Sequence, residues 1–260
     1  MLPGPTAATG DIMEQPITRH RHELKFRTLT VKEKSYLTPN MIRILFEGED
    51  LADFVSLGFD DHVKLFIPAM EGEAEKRDYT PRFYDTEARR LAIDFAVHDA
   101  GPATRWAIDA NPGDTLQIGG PRGSAVVSPA FDWWLLVGDE TALPAIGRHI
   151  EELPAGARVV SIVTISDDSD RQDFSTQANH QAVWVRRPLE RADDPAPVLD
   201  ALRELALPQG NGFVWIAAEA RVARAARDHL VRERGHPLHW TKAAGYWLKG
   251  VADAQEKSMD

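Results

Sequence analysis

The chain contains no cysteine among its 260 residues. Thiol nucleophiles, disulfides, all-thiolate zinc sites and iron–sulfur clusters are therefore excluded together. Any redox chemistry would need an added cofactor. The absence of cysteine agrees with a reducing compartment, and we expect a cytoplasmic protein.

Long apolar runs and several catalytic signatures are also missing. No segment approaches the roughly 18 apolar residues of a membrane helix, and residues 1–15 do not have the pattern of a signal peptide. The motifs of Walker nucleotide triphosphatases, serine hydrolases and zinc proteases are absent. Two histidine pairs, His20 with His22 and His236 with His239, complete no metal-ligand pattern. We interpret them as exposed or capping side chains and predict no metal site.

Basic side chains are in the minority, because 30 Lys and Arg against 40 Asp and Glu give a formal net charge of -10. Such a charge disfavours nucleic acid and anionic membranes as bulk partners and favours a soluble monomer. An anionic ligand would need a local cluster of basic side chains. The hydrophobic share of 43% is ordinary for a globular chain of one or two domains.

The period of the apolar residues changes near residue 128. From 26 to 127 they recur mostly at every second position, as at Leu91, Ile93 and Phe95, which predicts short antiparallel strands. Later, the apolar run WWLLV at 133–137 precedes a helical pattern at 141–153 and a β-branched run at 158–165, which predicts parallel strands. We therefore predict a disordered tail at 1–19, a β-barrel domain at 20–128, an α/β domain at 129–250 and a C-terminal tail at 251–260.

The segment RDYTPR at 77–82 lies between two predicted strands and suits a flavin. The ring of Tyr79 can pack on the isoalloxazine, the hydroxyl of Thr80 can reach its redox-active N5, and Arg77 can pair with phosphate. Taken alone, the segment is more simply an ordinary polar entry to a strand.

The segment HDAGPATRW at 98–106 predicts a turn into a helix that begins at Ala103 or Thr104. Free backbone N–H groups at a helix N-terminus bind anions, so that a pyrophosphate would fit there. The alternative is a plain strand-to-helix turn that is capped by Thr104.

The segment GDETALPA at 138–145 follows the first predicted parallel strand and opens a helix. In open α/β sheets, nucleotides bind in the crevice at this end of the strands. The carboxylates of Asp139 and Glu140 suit a nicotinamide ribose or a flavin edge better than a phosphate. The alternative is that Asp139 or Thr141 only caps the helix.

Taken in this order, these segments resemble the siderophore-interacting protein family, the flavin-dependent ferric-siderophore reductases of the ferredoxin-reductase superfamily. The resemblance extends from about residue 24 to residue 250 and includes DDHVKLF at 60–66, IDF at 93–95, GPRGS at 120–124 and AGYW at 244–247. It implies a six-stranded antiparallel FAD-binding β-barrel followed by a doubly wound parallel α/β domain for a nicotinamide nucleotide.

The resemblance also implies roles for individual residues. Tyr79 and Thr80 would be catalytic, at the flavin ring. Three basic side chains, Lys64, Arg122 and Lys242, would hold the ferric siderophore, although each alone is more simply a solvated charge. The implied cofactor-binding residues are Arg77, Tyr79, Thr80, Asp94, His98, Gly101, Ala103, Thr104, Asp139, Thr141, Tyr246 and Trp247.

The implied activity passes electrons from NADPH or NADH through FAD to Fe(III) in a siderophore and releases Fe(II). A reduced ferredoxin is an alternative electron donor. Two other functions stay open: a flavin reductase or electron-transfer module for a protein partner, and a carrier that binds a ferric chelate without catalysis.

Overall fold

Antiparallel strands build the N-terminal half of the protein. A computed structural model describes residues 15–68, 72–97 and 101–251. The strands of this half are β1 (Ile17–Arg21), β2 (Phe26–Thr38), β3 (Met41–Glu47), β4 (Val63–Ile67), β5 (Glu75–Tyr79), β6 (Phe83–Asp85), β7 (Arg90–Ala96), β8 (Thr115–Gly119) and β9 (Gly123–Val127), and helix α1 (Pro102–Asp109) follows β7. Seven of them form a sheet in the order β5-β4-β8-β2-β3-β7-β6, while β1 and β9 pair as a separate ribbon.

The seven-stranded sheet curls around its own hydrophobic core. Ile42, Ile44 and Phe46 of β3 are fully buried, and they pack in one cluster with Ile93 and Phe95 of β7. The pairing of the long strand β2 with β3 shifts register twice. Such bulges bend a strand and increase its twist, which lets one sheet wrap around the core.

Two details of the predicted barrel are wrong. The described residues form seven strands in this sheet, not six, because the three residues of β6 are too few to show an alternating pattern. Strand β1 begins at Ile17, inside the predicted disordered tail 1–19, because its backbone pairs with β9 and the side chain of Ile17 packs on the core. Residues 1–14 and 252–260 lie outside the described residues.

A parallel sheet with helices forms the C-terminal half. Its strands are β10 (Trp133–Gly138), β11 (Arg158–Ile165), β12 (Asn179–Arg186), β13 (Gly212–Glu219) and β14 (Thr241–Trp247), and its helices are α2 (Leu143–Glu152), α3 (Ala196–Glu204) and α4 (Ala220–Asp228). The strand order is β12-β11-β10-β13-β14. None of the described helices combines the length and the apolar character that a membrane crossing requires.

Helices cover both faces of the parallel sheet, as predicted. The central strand β10 is buried along its whole length, and its side chains alternate between two cores. Trp134 packs with residues of α2 on one face, whereas Leu135 packs with residues of α3 and α4 on the other. A strand that is covered on both sides needs apolar residues at consecutive positions, which explains the run WWLLV.

The guanidinium of Arg148 joins the two halves. Arg148 lies on α2 and is only 3% exposed. It donates to the hydroxyl of Ser56 at 2.8 Å, to the carbonyl of Ser56 at 2.8 Å and to the carbonyl of Pro81 at 3.1 Å. Its Nε also donates to Glu152 at 2.7 Å. The loops that precede β4 and β6 are therefore fixed against the parallel sheet.

A second polar contact between the halves lies at the far end of β2. Asp170 accepts hydrogen bonds from Thr38 at 3.1 Å and from the side chain of Asn40 at 2.9 Å. Both Asp170 and Thr38 are buried. Because buried polar groups need hydrogen-bond partners, these bonds also fix the orientation of the two sheets relative to each other.

We expect Arg148→Ala to lower the free energy of unfolding by about 3 kcal/mol, because the loss of one buried charged partner leaves several polar groups without hydrogen bonds. Urea unfolding measures this change. Arg203→Ala removes an exposed arginine whose ion-pair partner among the described residues is the exposed Asp200, and it is the matched control. Equal stability of the two variants would show that Arg148 does not join the halves.

Candidate active site

The aromatic ring of Tyr79 forms one wall of the candidate site. Tyr79 ends β5, and its ring contacts that of Phe95 on β7 with 4.6 Å between centroids. Burial raises the pKa of the Tyr79 phenol far above its ordinary value, so that the side chain stays neutral. Thr80 follows at once and is buried. The site therefore has a neutral aromatic surface beside a hydroxyl group.

The N-terminus of α1 lies close to this wall. The hydroxyl of Thr104 donates to the carbonyl of Ala96 at 3.2 Å and ties the helix to the end of β7. The helix begins after Gly101, no side chain among the described residues caps it, and its first turn carries no acidic residue. A Cβ on Gly101 would meet no atom of the described residues within 4 Å. The interpretation of Thr104 as the helix cap is therefore wrong, since its hydroxyl bonds to a strand carbonyl instead.

These features fit FAD. A neutral aromatic face suits the isoalloxazine ring, and a helix N-terminus that no described side chain caps suits the pyrophosphate. Ala103 and Thr104 supply the free amides of the first turn, since Pro102 has none. Arg77 donates to Glu75 at 2.7 Å and to the carbonyl of Lys76 at 3.0 Å. His98 lies outside the described residues.

Asp94 belongs to a buried ion cluster, not to the cofactor wall. Its two carboxylate oxygens accept from Arg43 at 2.6 and 2.7 Å, and Arg82 lies 3.8 Å away. Arg82 also bonds to Glu151 of α2 at 2.7 Å. Asp94 is only 3% exposed and its oxygens face the two arginines, which favours a positioning role over direct contact with a cofactor. It positions the segment that follows Thr80.

Asp139 has a saturated carboxylate. One oxygen accepts from the amide and the hydroxyl of Thr141, at 2.9 and 2.6 Å. The other accepts from the amide of Glu219 and the indole of Trp247, both at 2.9 Å. A carboxylate has about four acceptor positions, and all four are used here. Asp139 therefore has no acceptor position left for a cofactor, and it stabilises the turn before α2 through Thr141, with Trp247 as a further partner. The interpretation of Asp139 or Thr141 as the helix cap is wrong, since no side chain among the described residues caps α2.

Tyr246 lies where the two sheets meet. Its ring packs edge-to-face on Trp215, with 6.1 Å between centroids. Burial, with the negative charges of Asp60 and Asp139, raises the pKa of its phenol far above the ordinary value. Asp60 accepts from the indole of Trp215 at 2.8 Å. Asp60 and Trp215 were not among the predicted site residues, although Asp60 and Asp61 form an acidic pair directly before β4.

The three basic residues Lys64, Arg122 and Lys242, which we call the basic triad, have different partners. Lys64 pairs with Asp78 at 2.6 Å, and Lys242 pairs with Asp60 at 2.5 Å. Arg122 is exposed and has no carboxylate partner among the described residues. An anionic ligand would therefore find Arg122 without a described ion-pair partner, and it would share Lys64 with Asp78 and Lys242 with Asp60.

The basic triad comes together around the start of β4. Asp60, which holds Lys242, and Lys64 belong to one short segment of chain. Lys64 lies opposite Gly119 in the β4–β8 pairing, and Arg122 follows Gly119 after a sharp turn. A Cβ on Gly120 in that turn would lie 3.2 Å from the amide nitrogen of Arg122. Three separate parts of the sequence thus supply cations to one region.

A small cleft opens between the two sheets, beyond the carboxyl ends of β10 and β11. Such crevices are where α/β sheets bind nucleotides. Glu140 faces this cleft and pairs with buried Arg187 at 2.8 Å. Burial and the charge of Asp139 raise the pKa of Glu140 to about 7, against the opposite effect of Arg187. The lining residues are Thr38, Asn40, Met41, Val97, Glu140, Leu143, Ile165, Ser166, Asp170, Gln172 and Leu189.

Sequence reasoning found only part of this cleft. Glu140 was recognised because it follows the first parallel strand. Asn40, Asp170 and Gln172 were missed, because they come from turns and loops without a motif. Within the described residues, no group of three potential ligands could hold a metal ion.

Two family models match the chain. The model described as siderophore-interacting FAD-binding domain matches residues 30–76 and 70–125, and that described as siderophore-interacting protein matches residues 131–250. The NADPH-dependent ferric-chelate reductase of Escherichia coli K12 is 34% identical, over 88% of this chain and 95% of its own. The ferric vibriobactin reductase of Vibrio cholerae is 31% identical, over 86% and 90%. The crystal structure of a siderophore utilization protein from T. fusca has a TM-score of 0.85 and 36% identity, over 92% and 98%.

We expect Glu140 to be protonated below a pH of about 7 and ionised above it. Because folding raises the pKa of Glu140, its contribution to the free energy of unfolding is largest at acid pH and decreases as the pH rises towards 7. Infrared difference spectra should show a protonated carboxyl band that disappears over this range. Glu140→Gln should lack the band, and Glu204→Gln, at an exposed position, should retain it. A band lost already near pH 5 would contradict the assignment.

Proposed function

We propose that this chain, which belongs to the siderophore-interacting protein family, passes electrons from NADPH through FAD to Fe(III) in a siderophore and so releases Fe(II). The observation that carries the proposal is the position of basic side chains beside Tyr246. Lys64 pairs with Asp78 and Lys242 pairs with Asp60, and the negative charges of both aspartates act on the Tyr246 phenol. Cations that can hold an anionic ferric chelate therefore border a residue that we assign to the flavin site.

In the proposed reaction, the protein residues bind and orient. Bound FAD supplies the conversion of a two-electron donor into one-electron steps. Tyr79 and Thr80 hold the ring, and the N-terminus of α1 at Gly101, Ala103 and Thr104 holds the pyrophosphate. Arg77 compensates phosphate charge once it exchanges its bond to Glu75. Tyr246 closes the site from the side of the parallel sheet.

The basic triad supplies charge complementarity to the substrate. A protein with a net charge of -10 repels an anionic chelate except where cations are concentrated. Fe(II) is softer and less charged than Fe(III) and binds hard oxygen donors less strongly, so that reduction by itself favours release. The triad therefore acts on substrate binding, not on the electron-transfer step.

The cleft beside Glu140 favours a nicotinamide nucleotide as the donor. It lies at the carboxyl ends of β10 and β11 and has polar groups from both halves of the protein. NADPH is the donor in the name of the Escherichia coli relative. NADH is the alternative nucleotide, and a ferredoxin would need a protein-docking surface instead. We place the reaction in the cytoplasm and in a monomer, which suits a chain without cysteine and with a high net charge.

We expect the purified protein to show flavin absorbance that bleaches with NADPH under anaerobic conditions and returns when a ferric siderophore is added. Anaerobic absorbance spectroscopy follows both steps. Return of the bands with many acceptors, but with no preference for chelated iron, would favour a flavin reductase. Complete lack of flavin after incubation with FAD would favour a ferric-chelate carrier.

The double variant Lys64→Ala and Arg122→Ala should raise KM for an anionic ferric siderophore about tenfold and weaken its dependence on salt, because charge complementarity steers binding. Its flavin content should not change. Steady-state kinetics at two salt concentrations provide the measurement. The control replaces Lys32 and Arg203, which are exposed and far along the chain from the triad. Unchanged kinetics in the triad variant would remove these residues from the substrate site.

A further inference from the structure

His22 belongs to a continuous chain of hydrogen bonds that begins at Arg148. Arg148 donates to the hydroxyl of Ser56 at 2.8 Å, and this hydroxyl donates to Asp61 at 3.0 Å. The hydroxyl of Ser124 bonds to the same carboxylate oxygen at 2.6 Å, and His22 Nε2 lies 2.7 Å from that hydroxyl. Ser56, Asp61, Ser124 and Arg148 are all buried, whereas His22 is partly exposed.

The donor and the acceptor of each hydrogen bond between Arg148 and His22 can be assigned. A guanidinium only donates, so Ser56 accepts from Arg148 and gives its own hydrogen to Asp61. The amide of Gly58 donates to the same Asp61 oxygen at 3.1 Å. Burial raises the pKa of Asp61, and its hydrogen bonds act in the opposite direction. Asp61 is thus placed as an acceptor for all of its neighbours.

Ser124 then fixes the tautomer of His22. The hydroxyl of Ser124 donates to Asp61 and already accepts from the amide of Leu57 at 3.0 Å. A hydroxyl has one hydrogen and two acceptor positions, so its remaining position accepts from His22. The hydrogen of neutral His22 must therefore be on Nε2. Nδ1 is left as the nitrogen that gains or loses a proton, and no described residue is its partner.

The β1–β9 ribbon places His22 beside the basic triad. Arg21 lies opposite Gly123 in this antiparallel pair, and the amide of His22 donates to the carbonyl of Arg122 at 3.0 Å. The next pair in this register is His22 with Arg122, and residues directly opposite each other in an antiparallel pair have their side chains on the same face. The bond from His22 to Ser124, two residues beyond Arg122, is consistent with that face. The imidazole therefore lies on the face that carries the guanidinium of Arg122.

We propose that His22 is a proton donor to the siderophore during iron release, a role that rests on the proposed function. After one electron from the reduced flavin has converted Fe(III) to Fe(II), the N–H bond at Nδ1 breaks and an O–H bond forms on a donor oxygen of the siderophore as its Fe–O bond breaks. The imidazole then regains a proton from water. Asp61 stabilises the imidazolium through Ser124, and Arg122 holds the anionic ligand within reach.

The charged groups around the imidazole come from three elements. Arg122 lies across the ribbon, Asp61 lies behind Ser124, and Arg21 and Glu23 flank His22 in the sequence. A proton on Nδ1 adds one positive charge beside Arg122, which favours the binding of an anionic chelate.

The test compares His22→Gln with His20→Gln, a variant of the exposed neighbour on the same ribbon. Glutamine can still donate to Ser124 but cannot carry the proton. Stopped-flow measurements follow Fe(II) release from the ferric complex of a catecholate siderophore, with ferricyanide as an acceptor that loses no ligand on reduction. We expect His22→Gln to release Fe(II) about a hundredfold more slowly and to reduce ferricyanide at the unchanged rate.

Each outcome of this comparison decides the proposal. Equal Fe(II) release by the two variants would overturn the role of His22 and leave the proposed function intact. If the unaltered protein reduces ferricyanide but no ferric chelate, the proposed function fails, and the proton-donor role fails with it. A loss of ferricyanide reduction in His22→Gln would show a structural effect instead and would also overturn the role.

Nitrogen NMR of the imidazole gives a readout that does not depend on activity. At alkaline pH, neutral His22 should carry its hydrogen on Nε2, and Ser124→Ala should shift it towards a mixture of tautomers. A hydrogen on Nδ1 in the unaltered protein would overturn the assignment.

Discussion

The buried guanidinium of Arg148 is the interaction on which much of the site depends. It lies on the first helix of the parallel sheet, yet its partners Ser56 and Pro81 belong to the antiparallel half. Pro81 follows Thr80 directly, and Ser56 leads to Asp61. One cation therefore fixes the aromatic wall, the loop before β4 and the direction of a hydrogen-bond chain that reaches the surface. A cation that is this deeply buried persists only while its partners stay in place.

In the proposed substrate site, the partners of the basic triad would determine what kind of anion can bind. Aspartates already compensate two of its three cations, at Lys64 and Lys242. A small anion gains little from cations that are shared in this way. A large chelate with several negative oxygens can contact all three at once, and such simultaneous contacts favour it over single anions. The aspartates therefore contribute to selectivity, although they lower the net positive charge of the site.

Much of the fold could be predicted from the sequence, because burial on one or both faces of a strand leaves a characteristic pattern. Leu91, Ile93 and Phe95 alternate in β7, and WWLLV marks the central strand β10. The last strand, β14, was missed because it is only partly buried and shows no regular alternation. The candidate motifs of the site could be proposed from the sequence because each of them is local. The pair Lys64–Asp78 could not be predicted, since it depends on the register of β4 against β5. The four bonds that saturate Asp139 likewise come from residues far apart in the chain.

The place of β14 in the chain has a consequence for biosynthesis. Lys242, Tyr246 and Trp247 all lie on this last strand, which pairs only with β13. Domains generally fold as units while the chain leaves the ribosome, and the N-terminal one folds first. The aromatic wall at Tyr79 can therefore form well before the site is complete. A nascent chain can therefore form the surface that fits the flavin while it still lacks the strand that closes the site, and the two parts join only when β14 pairs with β13.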